Sequence, residues 1–62
     1  MIDAEALKAA RKAADLSQDD LAKMSGTSAQ LIGQLERREV LTTKHVYAIA
    51  AILKMPVREL DP

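Results

Sequence analysis

The sequence predicts an all-α domain of five short helices, the second and third joined as a helix-turn-helix. Three observations carry that prediction. Apolar residues recur close to every 3.6 positions along nearly the whole chain, the period of an amphipathic helix. Asp, Ser or Thr opens most of these runs, where a side-chain oxygen can cap free backbone N–H groups. Gly26 and Pro56 fall between runs, where they punctuate rather than break helices.

Helix one is expected from about Asp3 to Ala14, with Asp3 as N-cap and Ile2, Ala6, Leu7, Ala10 and Ala14 along its inner side. Helix two begins at Ser17. There Ser17-Gln18-Asp19-Asp20 reads as a capping box with Asp in the usual Glu or Gln place, and two carboxylates in the first turn suit the helix dipole. This helix carries Leu21, Ala22 and Ser25 and stops at Gly26, which can take the left-handed conformation that ends a helix.

After Gly26-Thr27, Ser28 caps a third helix spanning about 28–37. Ile32 and Leu35 share one of its sides. Ala29, Gln30, Gly33, Gln34 and Arg37 form a stripe about 140° wide on another, with Leu31 on the border. That stripe is small and polar, whereas the outer face of a surface helix is ordinarily charged. A fourth helix is expected from Thr42 or Thr43 to about Lys54, with Val46, Ile49, Ala50 and Leu53 inward. Met55-Pro56-Val57-Arg58-Glu59-Leu60 reads as a short last helix with Pro56 in its first turn.

With 62 residues the chain is expected to be one domain, 1–62. A domain of that size buries only about 60% of the surface its unfolded form exposes, so packing must be good. The absence of cysteine excludes disulfides and thiolate metal sites. A lone histidine, His45, excludes the common zinc arrangements, and no cofactor, metal or small-molecule ligand is expected. No apolar run approaches the roughly 18 residues of a membrane span. The N-terminus MIDAEALKAA lacks a signal peptide's basic-then-apolar order, so a cytoplasmic location is expected. An enzyme is disfavoured, because no nucleophile–base pairing and no glycine-rich phosphate loop is present. Asp19 and Asp20 are better explained as helix-start carboxylates than as a metal site. Nine Lys+Arg balance nine Asp+Glu, which weighs against nucleic acid unless the cations gather on one face.

The spacing Leu16-Ser17-Gln18, Leu21-Ala22, Gly26-Thr27-Ser28, Ile32, Leu35-Glu36-Arg37 resembles the phage repressor and Cro (Xre-type) helix-turn-helix family over about residues 5–60. The resemblance implies a compact five-helix repressor-like domain that binds double-stranded DNA, with the third helix in the major groove. It implies that Gln18 binds a backbone phosphate and buttresses the recognition helix, and that Ala29, Gln30, Gly33 and Gln34 face bases. Amide chemistry agrees independently: a glutamine pairs its donor and acceptor with adenine N7 and N6. Gln30 and Gln34 thus point to A·T pairs, and Ala29, with Leu31 beside it, to a thymine methyl. Glycine inside a helix costs about 1 kcal/mol relative to alanine. Gly33 is read as permitting close approach to DNA, against simple tolerance at an exposed site.

Arg11 and Glu36 match a pair that the family buries between helix one and the recognition helix. Ser28, Thr42, Thr43 and Lys44 are expected along the DNA backbone. So are Arg37 and Arg38, whose charges would also complement the helix dipole. His45 is expected as a partly exposed first-turn residue; Tyr47 lies off the inward stripe with no assigned role. The chain departs from the family where Arg38 and Lys54 replace glycines and where the loop after helix three is about one residue shorter. The implied role is a transcriptional regulator or repressor, associated with the nucleoid when bound, as monomer or homodimer. Its neutral, alanine-rich build suits a natural small regulator and an engineered or trimmed one equally. The competing reading is a protein-interaction module that kept the fold and lost DNA.

Overall fold

A computed structural model describes all 62 residues as five helices: α1 Ala4–Ala13, α2 Gln18–Ser25, α3 Ala29–Glu36, α4 Val46–Leu53 and α5 Val57–Leu60. The first three begin where the sequence supplies an oxygen for an otherwise unpaired N–H group. Asp3 accepts from the Ala6 N–H at 3.0 Å. Ser17 accepts from Asp20, whose carboxylate accepts in return from the Ser17 N–H. Ser28 accepts from Leu31 at 3.1 Å.

Helix α4 starts at Val46, later than Thr42 or Thr43. The Thr43 hydroxyl captures the His45 N–H at 3.1 Å, and the Thr43 carbonyl takes the Val46 N–H at 3.4 Å. This side-chain-to-backbone turn competes with the helical pattern, as threonine commonly does. His45 then occupies the N-cap without a side-chain bond.

The core gathers Ile2, Leu7, Leu21, Ala22, Ile32, Leu35, Val46, Ile49, Ala50 and Leu60 from all five helices and the strand-like start of the chain. On α1 the inner face is Ala4, Leu7 and Arg11, spaced i, i+3, i+7. Ala6 and Ala10 are only half-buried, and Ala14 is exposed at the C-cap. Leu53, Met55 and Val57 pack half-buried against the core, so they are part of its floor. The residues before α1 tie distant parts together: the Ile2 N–H reaches the Leu41 carbonyl at 2.7 Å, and the Asp3 N–H reaches Leu60 at 2.8 Å.

Candidate nucleic-acid interface

Helix α3 has a back that is fixed and a front that is open. At the back, Arg11 Nε lies 2.7 Å from Glu36 Oε2, and Nη2 lies 3.1 Å from Oε1. Nη1 donates to the Leu16 carbonyl at 2.7 Å, and Gln18 Nε2 donates to Glu36 Oε1 at 3.2 Å. One carboxylate at the end of α3 is thereby held from α1 and from the start of α2. The two charged side chains are only 10% and 4% exposed, and no buried side-chain polar atom lacks a partner. Burial by itself would push the Glu36 carboxyl up. The hydrogen bonds from Arg11 and Gln18, with the Arg11 charge, more than offset this and hold it below the usual carboxylate range. The same bond to Glu36 raises Arg11 further above its already high value.

At the front, Gln30 is exposed and Gln34 half-buried, and neither amide bonds to the protein. Ala29 and Leu31 are half-buried and rest partly on the core. Gly33, expected on an open site, is instead buried. Its covering comes from the chain itself: a Cβ built there would stand 2.8 Å from Arg37 Nη1 and 3.4 Å from Gln18 Oε1. The missing side chain is replaced by a guanidinium folded back one turn along the helix, the direction that helical side chains favour.

The residues expected along a DNA backbone are not all gathered in one place. Ser28 is exposed at the start of α3, and its oxygen is used in capping. Gln18 is half-buried toward the other end of α3, in the network with Glu36. Thr42 and Lys44 are exposed, and Thr43 is half-buried in its own turn; no carboxylate pairs with Lys44. Arg37 pairs with Glu39, Nε to Oε2 at 2.9 Å and Nη2 to Oε1 at 3.3 Å. Arg38 turns the other way, toward Glu5 at 3.6 Å on α1, and lines a shallow groove with Ile2 and Ala4. Sequence reasoning missed both partners. Glu39 stands two residues after Arg37, and that spacing signals a pair only once the chain is known to reverse at Arg38, whose φ is +63°. His45 is half-buried, and Tyr47 is 71% exposed.

This arrangement is two short helices joined by a tight glycine turn, the second braced from behind. The sequence profile of the helix-turn-helix family matches residues 7–60. The chain belongs to the helix-turn-helix family, of the phage repressor and Cro (Xre) type. Comparison with curated proteins gives no match. Helix-turn-helix domains of this kind bind DNA and are not known as enzymes. No helix here is long and apolar enough to cross a membrane.

Between the two helices, Ser25 donates to the Leu21 carbonyl at 2.7 Å and pairs with Thr27 Oγ1 at 2.9 Å. Gly26, at φ +70°, supplies the left-handed step that most side chains resist.

Proposed function

We propose that this helix-turn-helix domain reads a short duplex site by laying α3 in the major groove, and that it acts as a transcriptional regulator of the repressor kind. The observation that carries the reading is the pair of uncommitted amides, Gln30 and Gln34, on a helix whose back is locked by Arg11, Glu36 and Gln18. A braced helix needs no backbone ordering on binding, each amide gives up only its own side-chain freedom, and each matches the adenine edge in two hydrogen bonds. Ala29 and the exposed part of Leu31 meet a thymine methyl, and Gly33 leaves the space that the Arg37 side chain occupies over the helix.

Backbone phosphates are taken by the Ser28 hydroxyl, whose hydrogen remains free to donate, by Gln18, by Lys44 and by the Thr42 and Thr43 segment. Arg38 joins them by exchanging Glu5 for a phosphate. An exposed pair at 3.6 Å is worth about 0–1 kcal/mol, so the exchange is cheap. The domain, residues 1–62, works in the cytoplasm on the nucleoid, and needs neither metal nor small ligand.

The test is a selection from a random duplex pool, followed by titration of the enriched site. Gln30→Ala and Gln34→Ala are each expected to cost about 1–3 kcal/mol at one base pair and to relax preference there. The length of the enriched motif reports monomer or homodimer, since a dimer reads half-sites about one helical turn apart. Equal loss on every sequence would sink the base-reading assignment. The neutral charge favours one rival, a module that binds protein instead. It gains if random duplex at low salt shows no binding even at high micromolar protein, because non-specific affinity of DNA-binding domains is ordinarily measurable there.

A further inference from the structure

Arg37 lies on the same stripe as Gln30 and Gln34, and its guanidinium fills the notch over Gly33, with Nη1 2.8 Å from where a Cβ would stand. Glu39 grips it side-on through Nε and Nη2. A guanidinium has five N–H donors in a rigid plane, so the two on Nη1 and the outer one on Nη2 remain unspent. We infer that Arg37 is a specificity-determining residue that reads the guanine of a G·C pair, donating to O6 and N7 in the major groove. The inference rests on the proposed docking of α3 and names a further base pair in its site.

Three features favour a base edge over a phosphate as the target. The guanidinium is folded along α3 into the notch over Gly33, on the stripe that carries the two glutamines, whereas Arg38 turns away toward α1. The Arg37–Glu39 pair is neutral, and carrying it to a phosphate would bring a carboxylate against the DNA charge. A guanine edge is uncharged and offers two acceptors, which suits a planar fork already oriented by a carboxylate. Gly33 is what makes the arrangement possible, because any side chain there would displace Nη1.

Selection and titration on wild type, Arg37→Ala, Arg37→Lys and Gly33→Ala test this. Wild type is expected to enrich a site with a G·C pair besides the A·T pairs. Arg37→Ala is expected to reduce discrimination at that pair by about 5- to 150-fold, with little change in salt dependence. Arg37→Lys, which keeps the charge and loses the fork, is expected to lose the same preference. Gly33→Ala is expected to lose it too, while its melting temperature is unchanged or raised. Its backbone is ordinary helix, and the atom its Cβ meets is the end of a flexible side chain, so misfolding does not confound the result. The inference is overturned if Arg37→Ala weakens all sequences alike and the salt slope falls by about 0.9, the mark of one lost phosphate. It is also overturned if Arg37→Lys retains the preference. A site that depends on Gln30 but ignores Arg37 overturns this inference alone, and a wild type that enriches nothing overturns the groove-docking proposal with it.

Discussion

The two connections that flank α3 are built on opposite plans. The one before it runs from Ser25 to Ser28 and is closed at every residue. The Ser25 hydroxyl is buried against Leu21, Gly26 takes the left-handed step, the Thr27 N–H returns to Ala22 at 2.9 Å, and Ser28 caps the helix. The one after it, Arg37 to His45, takes its left-handed step with an arginine, leaves Leu41 49% exposed, and holds Thr42 and Lys44 in solvent. The first connection therefore fixes where α3 begins. The second also closes the helix, the Arg38 N–H returning to Leu35 and the Glu39 and Val40 N–H groups to Gln34. Glu36, anchored to α1 and α2, holds that end against the rest of the domain. With Leu41 tied to Ile2, the exposed Thr42 and Lys44 are the part of this loop left to meet a DNA backbone in the proposed complex.

The largest expected effect tests that division of labour. Glu36→Ala strands Arg11 in a site where its side chain is 10% exposed. Losing one partner of a buried pair costs about 3–5 kcal/mol. Natural domains hold about 0.05–0.15 kcal/mol per residue, so a chain of this size has little stability left. Circular dichroism should find Glu36→Ala and Arg11→Ala largely unfolded at 25 °C. A loss under about 1 kcal/mol would mean that the loop, not the network, holds the end of α3.

The same network sets the response to acid. Glu36 is held below its ordinary value, as are Asp20 by the Ser17 N–H and hydroxyl and Glu39 by Arg37. The folded state thus releases these protons more readily than the unfolded chain. The stability they give is complete above the unfolded carboxylate range, roughly pH 4–4.5, and is lost as pH falls through the folded values. Melting temperature should decline below about pH 4.5, and Glu36→Gln should flatten that decline. A slope indifferent to Glu36→Gln would show that the bond to Arg11 is not what acid breaks.

Most of this was legible in the residues for local reasons. Ser17 with Asp20, Gly26 and Ser28 are short-range devices whose partners lie within a few positions, and the Leu and Ile periodicity assigned the core of α2 and α3. What escaped the sequence depends on chain direction beyond one turn. The late start of α4 turned on whether the Thr43 hydroxyl would prefer its own loop, and the covering of Gly33 turned on the path of Arg37. Both are contests between near-equal local options that tertiary packing decides.

Gly26→Ala is the next test in size. No heavy atom lies within 4 Å of a Cβ there, so the cost is purely that of holding alanine at φ +70°, about 1–2 kcal/mol. Ser28→Ala follows at about 1 kcal/mol for the lost cap. Denaturant titration measures both. If either proved neutral, the closed turn would owe its rigidity to packing rather than to these devices.

The smallest effect has the opposite sign and probes the open loop. Arg38 and Lys54 sit at φ +63° and +55°, where a side chain is strained by about 1–2 kcal/mol, and glycine relieves that strain while losing part of it to its greater unfolded-state freedom. Arg38→Gly should therefore stabilise by about 0.5–1 kcal/mol, less any contribution from the exposed Glu5 contact. The variant also removes a cation proposed to hold a phosphate, so affinity for all DNA sequences should fall while stability rises. That opposed pair of changes, measured on one protein, separates a residue kept for folding from one kept for binding. Were DNA affinity to rise along with stability, the strained arginine would have no part in the backbone clamp, and the loop would serve only to connect.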